Sequence, residues 1–383
     1  MPDWLIFLAV ILLLGIGWFI GRSQALYFIP DSSPPQSSSR LFKGLNYLIN
    51  EQPDQAIHYF VSMLEEDSES IDLQIILAKL FRKQGELDRA ITIHQRLLAR
   101  PNLTEATIDR IHIELAQNYY SAGLHDRAEQ LLLDLVHSKS SGKATDLLFS
   151  IWEDQKEWDQ IIEITPTLKF LTESAKARVV GAACELFVRQ PDTGFRYLTL
   201  AERHRADSVM LNYHFAEAHL ADKAYRKAIK RLKKVVALDQ SMIPVVLPVA
   251  RRCFEHGVWG LNYHSLLNEW FQIHPSFSLV KEIFSILMHE EGVDSAKVFL
   301  SDYLQTHPSI PGLVQLVDLH LQTGHWEDTS TVKMFRGLCD QIIDHDMKYQ
   351  CQKCGYQTMK MYWQCPGCRA WESIRPIYGL NAE

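Results

Sequence analysis

From Arg40 onward the chain alternates apolar and polar positions with the period of packed helices, and the pattern repeats. The unit Gly85-Glu-Leu-Asp-Arg-Ala90-Ile returns as Gly123-Leu-His-Asp-Arg-Ala128-Glu. Looser copies are Gln52-Pro-Asp-Gln-Ala56-Ile, Lys223-Ala-Tyr-Arg-Lys-Ala228-Ile and Gly292-Val-Asp-Ser-Ala296-Lys. Anchors at Ala56, Ala90, Ala128, Ala228 and Ala296 lie 34, 38, 100 and 68 residues apart. Ile161, Gly194 and Asn262 divide the two long gaps into steps near 34 residues, each at a turn entering a helix. Twelve residues before the anchors stand Gly44, Ala78, Ala116, Phe149, Ala182, Ala216, Ala250 and Phe284; nine before the first four stand Tyr47, Phe81, Tyr119 and Trp152. Two helices that cross closely need a small residue at the contact and a bulky one beside it.

A helix-turn-helix unit of about 34 residues resembles the tetratricopeptide repeat. The expected fold is therefore all-α, a superhelix of eight or nine helix pairs, with Gly312 to Leu321 opening a ninth. Such arrays bind along a concave face and do not catalyse. Along this one there is no HExxH, no P-loop, no GxSxG and no glycine-rich nucleotide turn. His214, His219, His320 and His325 read as helix-surface or core residues, and Cys184 and Cys253 as small core fillers. The basic run from Lys223 to Lys234 reads as a solvated helix face, with docking of an acidic partner as the other reading.

Both ends break the pattern. From Trp4 to Gly21 no side chain is charged, and 18 apolar residues span roughly 27 Å as a helix, enough for a bilayer core. Trp4 and Trp18 fall where indoles favour the interface. A cleaved signal peptide is disfavoured, because only Asp3 precedes the run as a charge and no convincing cleavage site closes it. Arg22, Arg40 and Lys43 follow the span, so the N-terminus faces out and the bulk of the chain faces the cytoplasm. Residues 30–39 are a Pro/Ser linker.

At the other end, Cys351-Gln-Lys-Cys354 and Cys365-Pro-Gly-Cys368 are two metal knuckles separated by ten residues. Facing CxxC turns place four thiolates around one ion, with no ligand position left open for catalysis. Gly355, Pro366 and Gly367 suit the tight turns, and Tyr356 to Trp363 reads as a short strand. Tyr362, Trp363 and Trp371 should form the ribbon's own core or lie against the last repeats. The module resembles the rubredoxin-like zinc-ribbon family with a shortened loop; zinc and iron both fit four sulfurs. An odd seven cysteines, four of them in metal spacing, points to a reducing compartment. The net charge of -7, and five positive against four negative residues in the ribbon, exclude a phosphate-binding balance and hence a nucleic-acid partner.

The order of parts is 1–21 anchor, 22–39 linker, 40–343 repeat array and 344–383 ribbon. It resembles the lipopolysaccharide assembly protein B family, most specifically in 80–95, 349–355, 362–371 and 375–380. The resemblance implies a non-enzymatic, single-pass protein of the inner membrane with its N-terminus in the periplasm. It implies an adaptor that promotes proteolysis of the deacetylase committing precursors to lipid A, through the membrane ATP-dependent zinc protease, under restraint by an inner-membrane lipopolysaccharide-sensing regulator. It also implies that Cys351, Cys354, Cys365 and Cys368 are the metal ligands. A scaffold that gathers lipopolysaccharide-synthesis enzymes without proteolysis is the alternative, and self-association is left open.

Overall fold

The computed structural model describes residues 36–66, 70–138, 141–257, 260–323, 329–345 and 347–380. The apolar run at 4–21 lies outside the described residues; among those described, no helix is long and apolar enough to cross a membrane. The chain divides after Leu131 into two compact units.

Unit 1 holds α1 (Gln36–Ile49), α2 (Pro53–Glu66), α3 (Ile71–Lys83), α4 (Leu87–Leu98), α5 (Glu105–Ser121) and the start of α6 (His125–Leu135). The first helix begins at Gln36, inside the stretch read as linker. Consecutive helices pack as hairpins, with Ala56, Ala78, Ala90 and Ala116 completely buried at the crossings. Gly44 is an extreme case: a Cβ there would lie 2.4 Å from the Phe60 ring. Each hairpin turn is built alike. The backbone goes left-handed at Glu51, Gly85 and Gly123, and the next residue's N–H reaches back 2.9 Å to the carbonyl of Tyr47, Phe81 or Tyr119. This is the Schellman closure of a helix C-terminus. The repeated aromatic thus both fills the crossing and accepts the closing hydrogen bond.

Among the described residues of this unit the buried polar side chains are His94, Asp109 and Asn118. His94, on α4, is fully buried; its Nδ1 lies 2.8 Å from the Asn118 amide, and its Nε2 has no partner. Burial lowers its pKa to about 4, with Glu114 opposing the shift and Arg82 and Lys79 assisting it. Between pH 4 and 6.5 the unfolded chain therefore binds the proton that the folded chain refuses. Stability should fall as pH drops through that window, by up to about 3 kcal/mol. Melting His94→Gln beside the parent across the window checks this: the variant should lose that slope, and equal slopes would refute it.

Unit 2 completes α6 and continues through α7 (Ser141–Gln155), α8 (Trp158–Ile164), α9 (Glu173–Arg189), α10 (Pro191–Glu202), α11 (Val209–Ala221), α12 (Tyr225–Leu238), α13 (Ile243–Glu255), α14 (Tyr263–Ile273), α15 (Phe277–Glu290), α16 (Val293–Thr306), α17 (Ile310–Thr323) and α18 (Thr329–His345). Across both units the described residues form eighteen α-helices, nine consecutive pairs in chain order. Side-chain caps open several first helices of pairs: Thr172 on α9 and Ser208 on α11 each accept from the backbone N–H three residues on. The left-handed turn recurs at Lys156 and Lys223, where no glycine marks it, each at a cost of about 1 kcal/mol.

The anchors Ala128, Ile161, Ala228 and Ala296 are completely buried, and Gly194 sits 2.5 Å, measured from a built Cβ, from the Phe187 backbone. Asn262 stands where a turn enters a helix, as expected, but not in the core. It is exposed and caps α14 by accepting from the Ser265 N–H at 3.2 Å, while Leu266 takes the buried position. The turn before it is longer than in other pairs, so the core register slips by one helical turn. Cys184 and Cys253 are buried core residues. In the basic run, Arg231 pairs with Glu202 and Lys233 with Glu269, so part of its charge is spent between helices.

A three-stranded antiparallel sheet closes the unit: β1 (Tyr349–Cys351) lies between β2 (Gln357–Thr358) and β3 (Ile374–Pro376). Only Gln357 and Thr358 of the stretch read as a strand are one; Gln364 adds an isolated bridge to Trp371.

Candidate metal centre and its seat on the repeats

The two knuckles are copies of one another. In the first, Gly355 N–H donates to the Cys351 carbonyl at 3.0 Å and Cys351 N–H to the Tyr356 carbonyl at 2.8 Å. In the second, Arg369 N–H donates to the Cys365 carbonyl at 2.8 Å and Cys365 N–H to the Ala370 carbonyl at 3.0 Å. Both turns need a left-handed residue after the last cysteine, at Gly355 (φ 75°) and Arg369 (φ 58°). The glycine inside the second knuckle, Gly367, is not that residue, contrary to the simplest reading of Pro-Gly.

The geometry brings all four predicted cysteines together, with sulfurs within 4.8 Å of one another. Cys351 and Cys368, and likewise Cys354 and Cys365, are 3.7 Å apart. A disulfide would bring sulfurs to about 2.05 Å. A tetrahedron of Zn–S bonds near 2.3 Å has edges of about 3.8 Å. The cluster therefore has the dimensions of a metal shell.

Its proton chemistry asks for a cation too. Burial works against the Cys351 thiolate, but the Ser373 hydroxyl and the backbone N–H groups of Cys354 and Lys353 outweigh it and bring the thiol down to about 6. At Cys354 the Tyr356 backbone favours ionisation, yet desolvation and the neighbouring sulfurs push the thiol up to about 12. The crowded sulfurs compete for ionisation, and these opposed shifts belong to the cluster as a whole. A central ion removes that conflict. Cys351 and Cys365 are buried, and Cys354 and Cys368 are exposed.

Among the described residues the ribbon's own apolar core is Cys351, Cys365 and Ile374, with Tyr349 and Met361 against it. It is held instead by a seat on α7, α8, α9 and α11, with further contacts at Asp239 and His274. The Trp371 indole lies edge-on to Trp158, with ring centres 6.1 Å apart, and against Gly181 of α9, where a Cβ would be 2.5 Å from the ring. Its Nε1–H donates to the buried Glu153 of α7 at 2.7 Å. Burial pushes the Glu153 carboxyl up, and Arg178, which pairs with it, pulls the other way. Arg369 pairs with Asp154, and Arg375 with Asp239.

Glu372 accepts from the Ser208 hydroxyl at 2.7 Å and the Met210 N–H at 2.8 Å, and pairs with Arg205 at 3.1 Å. A carboxylate so placed complements the α11 N-terminus. Trp363 packs on Tyr213 and His214, with centres 5.3 and 5.9 Å away, and Tyr378 stacks on His274 at 4.6 Å.

The aromatic expectation is therefore corrected. Trp363 and Trp371 join neither the ribbon's own core nor the last repeats but pack on α7, α8, α9 and α11, while Tyr362 is 41% exposed. Glu153, Arg178, Gly181, Arg205 and Asp239 escaped the sequence reading. One signal was there: Gly181, a glycine inside a strong helix-forming run.

Fold and site together define a helical-repeat protein whose repeats carry a rubredoxin-like four-cysteine ribbon able to bind a metal. Residues 349–376 match the family described as rubredoxin metal binding domain, and residues 47–106 match the tetratricopeptide repeat. Over 386 residues the chain is 28% identical to lipopolysaccharide assembly protein B of Escherichia coli (strain K12), covering 98% of this chain and 99% of that protein. To the protein of the same name in Haemophilus influenzae (strain ATCC 51907 / DSM 11121 / KW20 / Rd) it is 26% identical, covering 97% and 98%. The similarity to lipopolysaccharide assembly protein B thus runs over nearly the whole of both chains.

Proposed function

We propose that this protein is a non-enzymatic adaptor of lipopolysaccharide assembly, anchored in the inner membrane by residues 4–21 with the N-terminus periplasmic and the repeats and ribbon cytoplasmic. Cys351, Cys354, Cys365 and Cys368 ligate one zinc or iron ion in a closed shell, so the ion organises the fold and offers no position for substrate. The observation that carries the reading is the resemblance over nearly the whole of both chains, repeats and ribbon alike. The ribbon's seat supports it, because a module packed into its repeats acts as part of a binding scaffold and not as a free electron carrier.

In this reading the repeats present the lipid A pathway deacetylase to the membrane ATP-dependent zinc protease, and a lipopolysaccharide-sensing inner-membrane regulator restrains the adaptor through the membrane segment. Pulse-chase of the deacetylase with and without this protein tests it. Deletion should lengthen the deacetylase half-life several-fold. An unchanged half-life would leave the scaffold that gathers synthesis enzymes as the better description.

A further inference from the structure

The ribbon covers part of the first-helix face of unit 2, and its Leu380 carbonyl accepts from the Ile310 N–H that opens α17, but no described ribbon residue lines the groove between α15 and α17. These are the first helices of the eighth and ninth pairs. Between them runs a groove of about 410 Å³, within the size range of natural ligand pockets. Its apolar wall on α15 is Phe277, Phe284 and Met288, one face of that helix, and Val314 stands opposite on α17. Phe277, Phe284 and Met288 belong to the surrounding apolar core, so the groove is a preformed surface.

Its charges are unequal in availability. Asp318 is engaged by Arg336 of α18, one of whose guanidinium nitrogens lies 3.2 Å from the second carboxylate oxygen. Lys281, on the α15 side, is exposed and makes no ion pair among the described residues. The groove thus offers an apolar floor, one uncommitted ammonium and the amides of Gln315 and Gln322. A segment that fills it needs an apolar side chain to cover the floor and a carboxylate to meet Lys281.

We propose that the α15–α17 groove docks an acidic peptide segment of a partner protein, its apolar anchor between Phe284 and Val314 and its carboxylate on Lys281. The proposal rests on the adaptor reading and gives the client a place beyond the ribbon. The test uses the full chain in detergent and three short fluorescein-labelled peptides with the same Leu and Phe anchors, flanked by Glu, Ser or Lys.

The Glu peptide should bind about fivefold tighter than the Ser peptide, and the Lys peptide should bind weakest. Lys281→Glu, at an exposed position, should reverse the order of Glu and Lys. Val314→Asn should weaken all three. Equal binding of the three peptides, or an order unmoved by Lys281→Glu, overturns the proposal. So does a dimer that Val314→Asn dissociates, because a second copy then fills the groove. Peptide discrimination without any change in deacetylase half-life on deletion would support the groove and sink the adaptor reading; a lengthened half-life without discrimination would do the reverse.

Discussion

Cys351→Ser combined with Cys354→Ser should abolish metal content and lower the melting temperature of the second unit on the order of 10 °C, while unit 1 melts as before. Among the described residues the ribbon's own apolar core is Cys351, Cys365 and Ile374, far too little to fold alone. Structural zinc sites contribute folding free energy outright, about 10–16 kcal/mol of apparent binding in small finger peptides. When the knuckles open, Arg369, Trp371 and Glu372 lose the backbone that aims them. Glu153 and Arg178 then keep each other but lose the indole N–H and the apolar cover. A loss of about 3–5 kcal/mol from that seat, at roughly 2–4 °C per kcal/mol for a domain of this size, gives the stated shift. Metal analysis and calorimetry check it. An unchanged melting curve in metal-free protein would make the ribbon an independent appendage.

Gly181→Leu should detach the ribbon without removing its metal. A Cβ at this position already lies 2.5 Å from three atoms of the Trp371 ring, and the ring is held on its other sides by Trp158 and Glu153. Helix α9 itself gains, since glycine inside a helix is worth about 1 kcal/mol less than most residues. The repeats should therefore stay helical while Trp371 moves into water. The expected readout is unchanged far-ultraviolet dichroism, full metal content and a red-shifted, more quenchable tryptophan emission. Trp371→Ala should reproduce the loss of stability, about 3–5 kcal/mol, from the other side of the contact. Emission and stability unchanged in both variants would remove the seat described for the ribbon.

The parts legible in the sequence are those fixed by short-range chemistry. Two CxxC turns carry their own geometry, so the four cysteines could be assigned before any fold was known. The repeat was legible because a close helix crossing demands a small residue, and Ala56, Ala90, Ala128, Ala228 and Ala296 are all fully buried. Where the chain solves the crossing differently, the pattern misleads: Asn262 keeps the period but only caps a helix, and Leu266 does the packing. The left-handed turn residues Glu51, Lys156 and Lys223 carry no glycine signal, because the Schellman bonds compensate the strain.

The seat was the hardest part to see. It joins Glu153 to Trp371 and Asp239 to Arg375, pairs far apart in sequence with no periodicity between them. Several first-helix positions of the middle pairs are shaped by the ribbon, Gly181 most plainly.

As proposed, the four-cysteine ribbon, with the metal it would hold, is a working part of the repeat scaffold. Hydrogen exchange on the full chain, compared between the parent and the Cys351→Ser, Cys354→Ser protein, tests it most directly. Amides of α7, α9 and α11 should lose protection together with those of β1 and β3, and α3 to α5 should be unchanged. Loss of protection confined to residues 347–380 would contradict it.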